Sequence, residues 1–240
     1  IAFIGGGNMT TSLVGGLVRR GTPAGNLSVS DPVPAQIERL TRDFGVQGGA
    51  DNLAAVRDAD LVVLAVKPQQ MPEVARGIAP LLAERRRIVL SIAAGIRLAD
   101  LARWLGAGTP IVRAMPNRPA LIGAGITALY AGNGIAARDR EDVEALMSAA
   151  GSTVWLDQES QMDVVTAISG SGPAYFFLLI EALESAGVAS GLPAATARRL
   201  AIETARGAGL MAAQGGETPA VLREQVTSRG GTTEAALQVL

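Results

Sequence analysis

The sequence predicts an α/β domain on a mostly parallel sheet, residues 1–158, followed by an all-α domain, residues 159–240. Three observations predict it. Short apolar runs alternate with helical patterns through the first two thirds of the chain, as in a parallel sheet with helical crossovers. From Glu159 onward the strand patterns stop and apolar residues recur at helical spacing. With 240 residues and 48% hydrophobic side chains, the chain can bury one full domain and a smaller second one.

The elements follow in order. Ile1-Ala2-Phe3-Ile4 is a short apolar strand running into Gly5-Gly6-Gly7, and Leu13, Val14, Leu17 and Val18 then recur at helical spacing until Gly21 ends the helix. A second strand is predicted over 27–31, a helix over 36–44, and apolar strands over 61–66 and 88–92. A short helix at 98–105 and a strand at 111–115 come next. A strand at 125–130 is expected to run antiparallel at the sheet edge, and a helix over 140–149 precedes a strand at 154–156 that closes the sheet. Helices are then predicted over 161–168, 174–186, 194–213, 219–226 and from Thr233 onward. The chain opens inside a strand and stops in a helical pattern, so its natural ends are expected to lie beyond both.

A strand entering a glycine run that opens a helix is the layout of a dinucleotide-binding turn. Gly5 and Gly7 supply the tight turn and the bare backbone a pyrophosphate needs against a helix N-terminus. A plain structural turn is the alternative, but the flanking strand and helix favour a Rossmann-type domain. Asp31 ends the second strand about twenty residues on, where an acid commonly holds the ribose hydroxyls of NAD; with Pro32 and Pro34 beside it, it also suits an ordinary turn. Val66-Lys67-Pro68 falls at the carboxyl edge of the sheet, where ligands of such sheets bind, and Lys67 reads either as a compact charge near ribose or phosphate or as a solvated strand-end lysine. Ser91 to Gly95 offers small residues suited to a flat ring. In the second domain, Ser169-Gly170-Ser171-Gly172-Pro173 and Thr227-Ser228-Arg229-Gly230-Gly231-Thr232-Thr233 are expected as small-residue loops at helix N-termini, suited to a small carboxylate or to simple capping.

Composition removes several alternatives. A net charge of −1 leaves no basic face for nucleic acid and no polybasic membrane anchor. There is no cysteine, so neither disulfides nor a thiolate metal site is available; no metal is expected, and a reducing cytoplasm is the default. There is no histidine and Lys67 is the only lysine, so the usual general acids of carbonyl-reducing dehydrogenases are nearly all excluded. The helix at 174–186 is apolar on almost every side (Tyr175, Phe176, Phe177, Leu178, Leu179, Ile180, Leu183), which predicts burial against a second subunit rather than in a monomeric bundle. Its length, with Glu181 and Glu184, is expected to be too short and too acidic for a membrane span.

The ordered motifs Ile4-Gly5-Gly6-Gly7-Asn8-Met9, Ala65-Val66-Lys67-Pro68, Ser91-Ile92-Ala93-Ala94-Gly95, Arg113-Ala114-Met115-Pro116-Asn117, Ser169-Gly170-Ser171-Gly172-Pro173-Ala174-Tyr175 and Gly230-Gly231-Thr232-Thr233 resemble pyrroline-5-carboxylate reductases over essentially the whole chain. The resemblance implies a cytoplasmic enzyme that uses NADPH or NADH to reduce Δ1-pyrroline-5-carboxylate to L-proline, dimerises through its helical domain, and forms larger rings of dimers in some members. It implies that Gly5, Gly6, Gly7, Asn8 and Met9 hold the pyrophosphate, that Asp31 and Asn52 lie near the adenosine ribose, and that Val66, Lys67, Pro68 and Ala94 lie along the rest of the cofactor, with Gln225 reaching it. It also implies that Ser228, Gly230, Gly231, Thr232 and Thr233 bind substrate, that Glu159 lines the pocket, and that Thr233 meets the ring nitrogen. Three residues depart from the family pattern. Thr10 replaces a glycine or alanine and is expected to crowd helix against strand; Arg118 replaces a threonine; Arg229 replaces a proline in the carboxylate loop. Asp31 leaves NADH and NADPH both open.

The missing histidine fits this chemistry. A ketone needs an acid for its developing alkoxide, whereas an imine can enter already protonated and accept hydride directly. A β-hydroxyacid dehydrogenase is the rival enzyme, but such enzymes place a lysine in the helical domain and none follows Lys67. A dinucleotide-sensing module without turnover is the non-enzymatic rival.

Overall fold

The computed structural model describes residues 1–239 and divides the chain into two compact units, Ile1–Pro173 and Ala174–Leu240. The first unit carries β1 (Ala2–Ile4), α1 (Asn8–Arg19), β2 (Ser28–Ser30), α2 (Pro34–Phe44), β3 (Gln47–Gly49), α3 (Asn52–Val56), β4 (Leu61–Leu64), α4 (Met71–Glu84), β5 (Ile88–Ser91), α5 (Leu98–Leu105), β6 (Ile111–Pro116), β7 (Gly125–Ala131), α6 (Ala137–Ser148), β8 (Gly151–Trp155) and α7 (Gln161–Val165). Its strands form one sheet in the order β3-β2-β1-β4-β5-β6-β7-β8. The first six run parallel, β7 pairs antiparallel with β6, and β8 pairs parallel with β7. The order reverses between β1 and β4, so the crevice outside their carboxyl ends is the switch point where ligands of such sheets bind.

Two cores sandwich the sheet. Phe3, Leu13, Val14, Val29, Leu40, Leu90, Leu129 and Met147 pack on one face; Ile4, Val62, Leu64, Met71, Ile78, Val89 and Leu101 pack on the other. Alternate residues of each parallel strand feed opposite cores, which is why these strands are apolar without interruption. At the amino end of β5 three consecutive arginines tie separate segments together. Arg85 donates to the Ala59 carbonyl, Arg86 pairs with Asp139, and the buried Arg87 donates to the Leu81 and Arg57 carbonyls.

Several expectations need correction. Three elements are absent from the sequence reading: β3, whose Gln-Gly-Gly has no apolar pattern, α3, and α4, which carries Pro72 and Pro80. β7 is antiparallel as expected and lies inside the sheet, not at its edge, because β8, the strand expected to close the sheet, pairs with it from outside. Ser169 to Pro173 is not a loop. Residues Thr166–Gly170 form a π-helical turn between α7 and α8 (Gly172–Ala189), closed by the Ser171 N–H on the Thr166 carbonyl at 2.8 Å. Pro173 has no N–H to continue a regular ladder, and a side chain on Gly170 would come within 2.7 Å of the Met115 methyl.

The second unit is built from α8, α9 (Ala194–Gln214), α10 (Pro219–Gln225) and α11 (Thr232–Leu237). In α8 the side chains of Tyr175, Phe176, Phe177 and Leu178 are exposed. The segment Gln161–Ala189, with mean hydropathy 1.4, is long and apolar enough to cross a membrane by length and composition. The expectation that this helix is too short for a span therefore does not hold on length.

Candidate active site

In the first unit the candidate site centres on the glycine turn between β1 and α1. Gly5 adopts φ +102°, and a Cβ there would come within 2.5 Å of the Ala65 carbonyl, so only glycine allows β1 to turn this close to the end of β4. Gly7 is the N-cap of α1 and offers no side-chain cap, while nothing lies within 4 Å of the position a Cβ would occupy. The first-turn N–H groups of α1 are thus left for a ligand, and the helix dipole adds positive potential there. Asn8 is exposed beside them and Met9 half-buried.

Side chains hold the remaining polar groups of the turn. Thr10, fully buried, donates its hydroxyl to the Gly5 carbonyl at 2.6 Å. The expected crowding resolves into a hydrogen bond that pins the turn. Thr11 donates to the Gly7 carbonyl at 3.0 Å. Asp31 Oδ2 accepts the Gly6 N–H at 2.7 Å and Oδ1 accepts the Val33 N–H at 2.8 Å; the ordinary turn role and the place beside the glycines meet in one carboxylate. Arg39, on α2, donates through Nη2 to Gln36 Oε1 at 2.7 Å, to Thr11 Oγ1 at 2.9 Å and to the Gly6 carbonyl at 3.4 Å. Sequence reading missed Arg39. Its only signal was its spacing from Gln36, which puts both on one face of α2.

Asn52 opens α3, and its Oδ1 accepts the Ser30 hydroxyl at 2.6 Å, which places it one residue from Asp31 at the carboxyl end of β2. Ala65, Val66, Lys67 and Pro68 follow β4 directly, with the Lys67 side chain exposed; Ala94 is exposed just after β5. These residues share the carboxyl edge of the sheet with the glycine turn, and their donor set suits a dinucleotide: bare N–H groups for phosphate, a carboxylate for hydroxyls, and small residues beside β5 for a ring.

Glu159 lies in the same unit, in a cavity of about 170 Å³ lined by Arg97, Arg113, Ser160 and Asp163. Its Oε1 accepts from Arg113 Nη1 at 2.7 Å and from the Leu98 N–H at 2.6 Å. Arg113 is buried, so this carboxylate balances a desolvated guanidinium and anchors the start of α5. Arg118 opens a 3-10 turn after β6 that ends on Gly123.

In the second unit, residues 227–231 lead into α11. Gly231 caps that helix without a side-chain partner, and Gly230, at φ +70°, donates its N–H to Glu234 Oε2 at 2.6 Å. Thr232 and Thr233 occupy the first turn, with Thr233 half-buried and Ser228, Arg229 and Thr232 exposed. Gln225 closes α10 and donates to Glu217 at 2.8 Å.

The family model for pyrroline-5-carboxylate reductase dimerisation matches residues 159–240, and that for coenzyme F420-dependent NADP oxidoreductases matches residues 1–95. A pyrroline-5-carboxylate reductase from Pseudomonas aeruginosa is 49% identical over 99% of this chain and 87% of its own length. The chain belongs to the pyrroline-5-carboxylate reductase family. Within that family, the solved structure of the Coxiella burnetii enzyme has a TM-score of 0.95 at 39% identity, covering 99% of this chain and 88% of that one. The Plasmodium falciparum enzyme, solved with NADP bound, has a TM-score of 0.87 at 29% identity, covering 100% of this chain and 88% of that one. The fold class therefore holds: a Rossmann-type NAD(P)-binding domain followed by a helical dimerisation domain.

Proposed function

We propose that this chain is an NAD(P)H-dependent imine oxidoreductase that reduces the C=N bond of Δ1-pyrroline-5-carboxylate to give L-proline, the last step of proline biosynthesis. The observation that carries the reading is the uncapped, glycine-lined N-terminus of α1 at the switch point of the sheet, in a chain nearly half identical to a reductase of that name. The nicotinamide cofactor, when bound, supplies the hydride.

The chain's own residues bind and position. Gly5, Gly6, Gly7, Asn8 and Met9 receive the pyrophosphate, Asp31 and Asn52 the adenosine ribose, and Val66, Lys67, Pro68 and Ala94 the remainder, with Gln225 contributing from the helical domain. Ser228, Gly230, Gly231 and Thr232 receive the substrate carboxylate on backbone N–H groups and hydroxyls, and Thr233 hydrogen-bonds the ring nitrogen. Glu159 borders the pocket while holding Arg113. No strong acid is needed, because a protonated imine accepts hydride without one; positioning carries most of the rate.

The reading takes residues 1–158 as the cofactor domain and 159–240 as the helical domain, supported by the span of the dimerisation match. It places the protein in the cytoplasm as a homodimer, with rings of dimers as a further assembly. The apolar α8 then packs against a second copy rather than in a membrane, and with a net charge of −1 there is no nucleic-acid partner. Mixing the protein with pyrroline-5-carboxylate and either nucleotide and following nicotinamide absorbance tests the activity. Oxidation that depends on the imine is expected. Nucleotide binding without turnover would overturn the enzyme reading and leave a sensing module.

A further inference from the structure

We propose that this chain selects NADH over NADPH, and that Asp31 does so as an acid the glycine turn itself holds in place. The inference rests on the reading of that turn as the cofactor site. Both carboxylate oxygens of Asp31 are engaged by backbone, Oδ2 by the Gly6 N–H at 2.7 Å and Oδ1 by the Val33 N–H at 2.8 Å. Each oxygen keeps acceptor capacity for a hydroxyl, so a ribose diol can donate to it. A 2′-phosphate brings between about −1.5 and −2 of charge and only acceptors at neutral pH. To relieve that repulsion the carboxylate would have to swing away, which breaks both backbone hydrogen bonds and frees Gly6.

Neither loop flanking the acid carries a cation. The loop after β2 runs Asp31-Pro32-Val33 and the loop after β3 runs Ala50-Asp51; the two are joined by the Asp31 N–H on the Gly49 carbonyl at 3.1 Å. Together they carry two carboxylates and no lysine or arginine. Asp51 is engaged as the cap of α3, accepting the Leu53 N–H at 2.8 Å. Arg39 is the base beside the glycine turn: its Nη2 serves Gln36, Thr11 and the Gly6 carbonyl, and its Nε is buried without a partner. Arg39 therefore braces Gly6 from the carbonyl side while Asp31 holds its N–H. It supports either nucleotide and distinguishes neither.

Direct titration of the purified protein with NADH and with NADPH, in the absence of any imine, tests this. NADH is expected to bind at least tenfold more tightly. Asp31→Ser narrows that ratio at least tenfold, chiefly by strengthening NADPH. Arg39→Met weakens both nucleotides with the ratio unchanged, and Arg39→Lys restores part of the loss. Raising ionic strength on the unaltered protein narrows the ratio, since rejection by charge is screened; this reading stands even if a variant fails to fold. Equal or tighter NADPH binding in the unaltered protein, or a ratio indifferent to Asp31→Ser in a folded variant, overturns the preference and leaves the reductase reading intact. Failure to bind either nucleotide overturns the cofactor site itself.

Discussion

Thr10 sits fully buried where α1 leaves the glycine turn, and its hydroxyl donates to the Gly5 carbonyl at 2.6 Å. Replacing it by valine keeps the shape but removes the donor, at a cost of about 1–3 kcal/mol for the unpaired buried group. Thr10→Val is expected to lower the urea midpoint at unchanged slope and to weaken nucleotide binding a few-fold, read by equilibrium denaturation and titration. Thr233, in the first turn of α11, is the residue proposed to meet the ring nitrogen. Thr233→Ala is expected to raise the Michaelis constant for the imine about tenfold, the loss of one hydrogen bond to a charged group, with nucleotide affinity unchanged in direct titration. A Thr233→Ala enzyme with unaltered kinetics would remove that residue from the mechanism. The sequence marked both threonines, but from opposite sides. Thr233 was singled out because it belongs to a motif; Thr10 looked like an obstacle, because the partner of a hydroxyl depends on how the chain turns at Gly5.

Among the elements, α1 is seated by a close approach that the sequence did not signal. A methyl on Gly16 would overlap the Ala149 carbonyl at the turn between α6 and β8. Because backbone cannot yield as a side chain tip can, Gly16→Ala is expected to cost about 3 kcal/mol, measured as a fall in the denaturation midpoint. At the start of α6, Asp139 accepts from Nη1 and Nη2 of Arg86 and from the Ala136 N–H at 2.8 Å. The Arg86 hydrogen bond, opposed by burial and assisted by the Ala136 N–H, holds the Asp139 carboxyl below its ordinary value. A folded-state pKa below the unfolded one stabilises the fold fully above about pH 4 and loses that contribution as the pH falls through the lower value. Asp139→Asn is therefore expected to flatten the acid limb of stability against pH below about 4, followed by urea unfolding at a series of pH values. Helix α4, which the sequence analysis did not include, carries two prolines, Pro72 and Pro80. Pro72 occupies the first turn, where its missing N–H costs nothing, and packing of Met71, Ala75, Ile78 and Leu82 offsets Pro80.

At the scale of the molecule, the dominant fact is apolar surface without cover. In the 18-residue α8 only Gly172 is buried, and Phe176 is 66% exposed. Burial of one phenylalanine contributes about 1.5–3 kcal/mol, and a two-fold interface counts it twice. The match to a dimerisation domain points to a homo-oligomer. Phe176→Glu is accordingly expected to weaken self-association at least a hundredfold, seen by sedimentation. Imine reduction should fall with it while nucleotide still binds. A variant that stays assembled and active would place the interface elsewhere.

The sequence by itself determined the class of the fold, the glycine turn that opens α1, and the family. These depend on local periodicity, glycine spacing and composition, which are written in consecutive residues. Only the tertiary structure decided that Thr166 to Gly170 form a π-helical turn running into α8, that Thr10 pins Gly5, and that Asp31 and Arg39 grip Gly6 from its two sides. Each of those depends on groups distant in the chain, such as Gly6 and Asp31, and a hydrogen bond between distant residues leaves no pattern in the sequence until the sheet has brought its strand ends together.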